Sequence, residues 1–318
     1  MDSRRMNVTK IKQFKDKEKH DLPLLVSNIT QGVTTKGSPY LSITFQDKTG
    51  QIEGKLWDVK PEQLQIIKQG QIIQVSFEVL NYREQLQLKL FDVKALDQKT
   101  QSIDDFLPES DVSSQELKLS IEGFIAQLKN PVYHSLVSSI VKEVGYDFYE
   151  YPAASKNHHE YKGGLASHVV SMILLAKEVL RLYPTLDHDL LMSGILLHDI
   201  GKTVELSGPI LTEYTTVGRL LGHISIVNAM IYHHAKVLGV ENTEETMLLQ
   251  HMVLSHHGQY EYGSPVLPLV PEAEILHLID NLDARMNMFN KVMEGTEEGT
   301  FTSRVFSLEN RTFYKKKG

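Results

Sequence analysis

The chain has 318 residues, a length that favours two domains of roughly 100 to 200 residues each. Its 41% hydrophobic and 23% charged residues are typical of a soluble globular protein, and no apolar run approaches the roughly 20 residues of a bilayer span. The net charge of -7 argues against a protein whose whole surface binds nucleic acid. The absence of cysteine excludes disulfides, thiol nucleophiles and thiolate zinc sites, so any metal must bind nitrogen and oxygen, and a reducing, cytoplasmic location is expected.

Between residues 22 and 95, apolar residues recur at every second position, which is the period of β-strands. Five short strands with a helix between the third and fourth is the order of an OB-fold barrel, a frequent binder of single-stranded nucleic acid. We therefore expect an all-β OB-fold domain over residues 1–96. The strands are predicted at 24–34, 41–45, 52–57, 73–79 and 86–90, and the helix at 61–68.

Aromatic and basic side chains on this barrel are candidates for contact with nucleic acid, because bases stack on aromatic rings and phosphates attract cations. The alternative is that the aromatic rings fill the barrel or a domain interface. The candidates are Tyr40, Trp57 and Tyr82, with Lys36, Lys48, Lys55 and Arg83 near them in the sequence.

A polar, unpatterned stretch over residues 97–114 is predicted to be a linker, and helical periodicity follows it. No strand-like alternation interrupts this second part, which predicts an all-α domain over residues 115–299. Its main helices are expected at 132–143, 165–182, 188–199, 217–237, 244–257 and 272–293.

The last segment, residues 300–318, mixes basic and aromatic side chains, among them Arg304, Arg311, Phe306 and Tyr314. This composition suits contact with RNA or docking on a neighbouring subunit. A frayed terminus is the alternative.

Twelve of the 14 histidines fall between residues 158 and 277, where average usage would give roughly two or three. Histidine is the commonest protein ligand of transition metals. The positions near predicted helix ends or within helices supply enough nitrogen and carboxylate ligands for one octahedral ion, or for two ions bridged by Asp199. They are His168, His198, Asp199, His223, His256, His257 and Asp280.

Three strings around these residues resemble the HD-domain metal-dependent phosphohydrolases: Gly-Gly-Leu-Ala-Ser-His, Leu-Leu-His-Asp-Ile-Gly-Lys and Leu-Ile-Asp-Asn-Leu-Asp-Ala-Arg. The resemblance covers roughly residues 120 to 295. It implies a first ion bound by His168, His198, Asp199 and Asp280. It also implies a second ion, with Asp199 as the bridge and with His223, His256 and His257 as the matching positions. For His257 the alternative is a position behind the ligands.

The combination of an OB-like barrel and an HD domain resembles the YhaM-type 3′-5′ exoribonucleases more closely. The string Asp-Lys-Thr-Gly-Gln-Ile-Glu-Gly-Lys-Leu-Trp in the barrel and Tyr-Pro-Ala-Ala-Ser-Lys-Asn-His-His-Glu-Tyr-Lys-Gly-Gly-Leu before His168 carry this resemblance. It implies hydrolysis of single-stranded RNA, with single-stranded DNA as a further substrate, from the 3′ end. It also implies a divalent ion such as Mn²⁺, one or two per chain, and a bacterial cytoplasm.

Hydrolysis of a phosphodiester needs its charge offset and a hydroxide-like nucleophile near neutral pH, which divalent ions provide. We expect metal-activated water to attack, leaving a 3′-hydroxyl and releasing nucleoside 5′-monophosphates. Asp199 and Lys202 are the candidate catalytic residues, with Lys202 contacting the scissile phosphate or else being a surface charge. His158, His159 and Arg285 are further candidates for nucleic-acid contact, with a surface loop and a salt bridge as the respective alternatives.

Two other functions fit the same residues. One is an HD phosphodiesterase of small nucleotides, which would have no need of a barrel that binds single strands. The other is a non-catalytic nucleic-acid-binding factor with a structural metal, although a structural site closes its coordination shell with protein ligands. A homo-oligomer is expected, because enclosing the strand increases processivity.

Overall fold

The computed structural model describes residues 9–33, 37–82, 85–108, 110, 112–154, 159 and 161–318. The chain divides into two compact units, Met1–Glu109 and Ser110–Gly318, and the division falls inside the predicted linker. Among the described residues, no helix combines the length and apolar character needed to span a bilayer.

The first unit is a closed five-stranded barrel with the strand order β1-β2-β3-β5-β4. All neighbouring pairs are antiparallel except β3 and β5, which run parallel. This order, with one helix between β3 and β4, is that of an OB-fold and confirms the predicted fold class. The elements are β1 (Lys19–Val33), β2 (Pro39–Asp47), β3 (Gly50–Trp57), α1 (Pro61–Ile66), β4 (Ile72–Tyr82) and β5 (Gln85–Ala95).

Alternation along the strands sends one set of side chains into the barrel and the other towards solvent. Ile43, Phe45, Val75 and Phe77 are fully buried in its core. The barrel unit continues past β5, because Phe106 and Leu107 from the predicted linker are buried in one cluster with Leu25 and Ile72.

The second unit is helical, as predicted. Its first long helix begins at a capping box in which Ser113 and Glu116 bond each other's backbone N–H groups, and the next begins with Asn130 as its cap. The helices are α2 (Ser114–Ile125), α3 (Pro131–Val144), α4 (Asp147–Glu150), α5 (Gly164–Leu182), α6 (His188–Leu197), α7 (Lys202–Glu205), α8 (Thr216–Leu238), α9 (Glu244–Ser255) and α10 (Pro271–Glu294).

Helix α6 lies at the centre of this unit, since every residue from Asp189 to Leu197 is buried. Its apolar side chains share one core cluster with those of α3, α5, α9 and α10. A helix that is apolar on all sides must be surrounded by other elements. The residues that follow its C-terminus, His198 and Asp199, therefore enter the interior of the unit.

The last residues fold back on α10. Bridges join Phe301 to Tyr314 and Val305 to Arg311, and Leu308 is fully buried. The Lys315 ammonium donates to the carbonyl oxygens of Met293 and Thr296 at 2.7 and 2.8 Å. The segment is thus an ordered part of the helical unit, and the alternative of a frayed terminus is wrong.

Candidate metal centre

Five helices bring the predicted ligands together around Asp199. His168 lies in α5, His223 in α8 and Asp280 in α10, while His198 and His256 directly follow α6 and α9. The ligand atoms of His168, His198 and Asp280 lie within 4.8 Å of one another, and so do those of His223, His256 and His257.

The two oxygens of Asp199 face these two groups separately. Asp199 Oδ2 lies 3.4 Å from His198 Nε2 and 3.9 Å from His168 Nε2. Asp199 Oδ1 lies 3.3 Å from His223 Nε2 and 3.9 Å from His256 Nε2. One carboxylate therefore stands between two clusters of imidazole nitrogens, as a bridging ligand would.

Several of these atoms are buried without a hydrogen-bond partner among the described residues: the Nε2 atoms of His198, His223 and His256, and Asp199 Oδ1. Leaving polar atoms buried and unsatisfied is costly, and native structures seldom do so without a reason. Nitrogen and carboxylate donors that converge in this way suit a divalent transition-metal ion. The residues therefore fit the metal that the sequence predicts.

A hydrogen bond at Nδ1, the ring nitrogen that does not face the centre, fixes the orientation of each histidine ring. The Nδ1 atoms of His198, His256 and His257 donate to the carbonyl oxygens of Ile195, Val253 and Tyr262 at 2.9, 2.7 and 2.7 Å. Because a carbonyl oxygen only accepts, each Nδ1 carries the hydrogen. Each Nε2 is then left with the lone pair that binds a metal.

Two carboxylates, Asp283 and Glu205, fix the rings of His168 and His223 in the same way, and neither was predicted from the sequence. His168 Nδ1 donates to Asp283 Oδ2 at 2.7 Å, and His223 Nδ1 donates to Glu205 at 3.1 Å. Asp283 also accepts from Ser171. Asp283 lies three residues after Asp280, a spacing that places both on one face of α10 and was the available signal.

His159 belongs to this supporting network, so its prediction as a nucleic-acid contact is corrected. It is 6% exposed, its Nε2 donates to Asp283 at 2.8 Å, and its Nδ1 accepts from the Tyr161 hydroxyl at 2.7 Å. His159, His168 and Asp283 form a third group of potential metal ligands. Both rings are already hydrogen-bonded to the Asp283 carboxylate, so this group supports the centre and is not a further metal site. His158 lies outside the described residues.

Lys202 is buried, so the alternative of a surface charge is wrong. Its ammonium lies 2.6 Å from Asp199 Oδ2. Burial opposes ionisation of the carboxyl group, but Lys202 and the nearby histidines hold the pKa of Asp199 well below its usual value. Asp199 is therefore ionised and available as a ligand.

Burial likewise opposes a charge on His168, but hydrogen bonds to Asp280 and Asp283 raise its pKa to about 9. Burial lowers the pKa of His256 well below its usual value. In the absence of a metal ion His168 therefore favours its protonated form, whereas His256 stays neutral.

Arg285 lies on the same helix as Asp280, but its guanidinium donates to both carboxylate oxygens of Glu309 at 2.6 and 3.1 Å. The structure therefore shows the salt bridge that was the alternative to its predicted contact with nucleic acid.

On the barrel, the predicted aromatic residues face solvent. The rings of Tyr40 and Trp57 pack at 4.9 Å across β2 and β3, and the exposed fractions of Trp57 and Tyr82 are 46% and 55%. They do not fill the barrel core. Lys55 is half-buried on β3, while Lys36 and Arg83 lie outside the described residues.

The sequence analysis missed a neighbouring aromatic-basic pair on β5. The Phe91 ring is 49% exposed, and Lys89 Nζ lies 5.8 Å from its centroid. Lys89 pairs with Lys55 across the parallel β3 and β5 strands. Phe91 lies at a β-bulge, where Ser76 pairs with Asp92 and Phe77 pairs with Leu90, and its ring is exposed on the outside of the barrel as that of Trp57 is.

Comparisons with known proteins agree with this geometry. Residues 165–285 match the family model of the HD domain. This domain and the two histidine clusters indicate dependence on a divalent metal ion. The second OB-fold domain of replication protein A from Methanococcus maripaludis matches with a TM-score of 0.23 and 20% identity, covering 28% of this chain and 94% of that chain. The OB-fold assignment of the barrel rests on its strand order and not on this match.

Full-length relatives match almost the whole chain. The 3′-5′ exoribonuclease YhaM of Bacillus pumilus (strain SAFR-032) is 48% identical over 299 residues, which cover 94% of this chain and 95% of the relative. Those of Geobacillus sp. (strain WCH70) and Bacillus licheniformis are each 46% identical over 94% of this chain, and the matches cover 92% and 95% of these relatives. The chain belongs to the YhaM family of 3′-5′ exoribonucleases.

Proposed function

We propose that this protein is a metal-dependent exonuclease that shortens single-stranded RNA from its 3′ end and releases nucleoside 5′-monophosphates. The observation that carries the proposal is the position of Asp199, whose two oxygens face two separate clusters of imidazole nitrogens. The activity in the names of the relatives supports RNA as the substrate and the 3′ end as the starting point.

Each cluster would hold one divalent ion, since imidazole and carboxylate donors suit such ions, and we propose Mn²⁺ because the family resemblance implies it. His168, His198 and Asp280 would hold the first ion, and His223, His256 and His257 the second, with Asp199 shared between them. Ions bound there would offset the phosphate charge and lower the pKa of a water molecule towards neutrality.

The chain's own side chains contribute charge and access. Lys202 offers a buried ammonium beside Asp199, and we propose that it contacts the scissile phosphate as charge builds on its oxygens. The Asp280 side chain is 19% exposed, so substrate can approach the cluster along this edge. A closed structural site would not have this opening.

The outer face of the barrel would capture the strand. Tyr40, Trp57 and Phe91 offer rings for stacking, and Lys55 and Lys89 lie beside them. Each stacked base contributes about 1 to 3 kcal/mol without regard to sequence. An exposed surface of this kind favours a polymer over a small nucleotide and would also accept single-stranded DNA.

An RNA-degrading enzyme meets its substrate in the bacterial cytoplasm, which is the location we propose. We also propose a homo-oligomer, since several copies around one strand would hold it between successive cuts.

The test uses purified protein, a 5′-labelled single-stranded RNA and Mn²⁺, beside an EDTA control and a His198→Ala/Asp199→Ala variant. We expect a ladder that shortens from the 3′ end and is absent from both controls. A Glu178→Gln variant, altered on the exposed face of α5, should match the wild type. Intact RNA with the wild-type protein and Mn²⁺ would overturn the proposal and direct attention to small nucleotides.

A further inference from the structure

We infer that the turn over residues 258–263 is a base-stacking subsite, in which the exposed rings of Tyr260 and Tyr262 hold bases near the 3′ end of single-stranded RNA. This inference rests on the proposed function, because it assigns the substrate contact next to the same metal centre. The sequence analysis assigned no role to either tyrosine.

The turn begins directly after His256 and His257, two of the proposed metal ligands. His257 Nδ1 donates to the carbonyl oxygen of Tyr262 at 2.7 Å, so one hydrogen bond connects a ligand ring to the backbone of the turn. A nucleotide whose phosphate lies at the metal centre has its neighbouring bases within reach of groups this close.

The turn is closed by backbone hydrogen bonds from Tyr262 N to Gln259 O at 3.2 Å, from Gly263 N to Tyr260 O at 3.0 Å and from Ser264 N to Gln259 O at 3.3 Å. A backbone held in this way needs no further ordering when a ligand binds, which lowers the entropic cost of binding.

The exposed fractions of Tyr260 and Tyr262 are 62% and 59%, although tyrosine rings bury large areas when they are covered. Two such rings on an ordered turn beside a site for phosphodiesters suit flat, unpaired bases, and every base has a face that can stack. Bases inside a duplex already stack on each other, so the turn would favour single strands.

The negative charge of the turn favours contact with the bases of the RNA and disfavours contact with its sugar-phosphate backbone. Glu261 lies between the two tyrosines and is exposed. Its carboxylate repels phosphate, whereas the metal centre attracts it. The phosphates would then face the metal centre while the bases lie on the rings.

The experiment measures kcat and KM on single-stranded RNA for the wild type, Tyr260→Ala/Tyr262→Ala and Tyr260→Phe/Tyr262→Phe. We expect KM to rise about tenfold or more in the alanine variant, because each lost stack weakens binding severalfold or more. The phenylalanine variant should keep KM near the wild-type value. The matched control is Tyr183→Ala, which removes a tyrosine of similar exposure, 58%, after α5 and should change nothing.

Two further readouts separate stacking from support of the metal centre. Bis-p-nitrophenyl phosphate, a diester without bases, should be hydrolysed by the alanine variant at the wild-type rate, and Mn²⁺ content measured by mass spectrometry should be unchanged. An unchanged KM for RNA would overturn the inference, as would a parallel loss of Mn²⁺ and of diester hydrolysis.

Failure of the proposed function would look different, because the wild type itself would leave RNA intact. The same variants would then be compared for RNA affinity by fluorescence anisotropy. Equal Kd values for the wild type and the alanine variant would overturn the stacking subsite there too.

Discussion

Two buried carboxylates hold histidines on opposite sides of Asp199 in the orientation that a metal ion requires. Asp283 accepts from His168 Nδ1 and also from His159 Nε2. Glu205 accepts from both the ring and the backbone N–H of His223. A carboxylate behind a ligand histidine fixes the ring and makes its metal-binding nitrogen more basic.

We therefore expect Asp283→Asn to lower Mn²⁺ affinity about 10- to 100-fold, because a neutral amide lacks the charge by which the carboxylate makes the His168 ring more basic, and its NH2 group cannot accept from Ser171. Isothermal titration with Mn²⁺ measures this directly. The exposed Glu178→Gln is the control and should keep wild-type affinity. Equal affinities in both variants would show that Asp283 does not support the metal site.

At this scale the sequence identified the side chains that converge on Asp199 better than the carboxylates that lie behind them. The ligands stand in short recognisable strings, as with His198 and Asp199. The role of Glu205 depends on α7 and α8 packing together, and a local pattern does not contain that information. The burial of His159 was missed for the same reason.

At the scale of elements, helix α8 contains a break that positions His223, a proposed metal ligand. Gly222 has φ 69° and ψ 151° inside the helix, and the regular helix restarts at His223. This backbone conformation is open to glycine and strained for residues with a Cβ. The His223 N–H, released from the helical ladder, donates to Glu205 Oε1 at 3.1 Å.

Gly222→Ala should therefore destabilise the protein by about 1 to 3 kcal/mol through backbone strain alone, since no atom lies within 4 Å of the added Cβ. It should also weaken binding of the second Mn²⁺ by displacing His223. Gly123→Ala in α2 is the matched control, with equally open surroundings. Because Gly123 is helical, that change should stabilise by about 0.5 to 1 kcal/mol. Urea denaturation measures both, and equal effects would contradict the account of Gly222.

The positions of the helices could be predicted from apolar periodicity, but the break at Gly222 could not. The predicted helix at 217–237 corresponds to Thr216–Leu238, and the prediction passed through Gly222 because the apolar period continues across it. The predicted helix at 188–199 instead ends at Leu197. The early end leaves His198 and Asp199 in a turn, where both side chains can reach one site.

At the scale of the whole molecule, we propose that one unit supplies a surface for single strands and the other supplies the chemistry. Both folds were predictable because each has its own period, two residues in the barrel and nearly four in the helices. The pairing of Lys55 with Lys89 was not predictable, because it depends on β3 and β5 meeting in parallel. Phe91, the third ring on the outside of the barrel beside Tyr40 and Trp57, was missed for the same reason.

Trp57 is the only tryptophan in the chain, so its fluorescence reports on the barrel alone. We expect oligouridylate to quench this emission as bases stack on the ring, and we expect Tyr40→Ala to weaken the response by removing the packed neighbour. A duplex RNA of equal length is the control and should quench little. Unchanged emission at RNA concentrations that saturate binding by anisotropy would place capture of the strand elsewhere.

The central claim is that Asp199 joins two metal sites, and anomalous diffraction from crystals grown with Mn²⁺ tests it most directly. The account predicts two peaks that flank the Asp199 carboxylate, one beside His168, His198 and Asp280 and the other beside His223, His256 and His257. A single peak, or peaks that Asp199 does not contact, would contradict it.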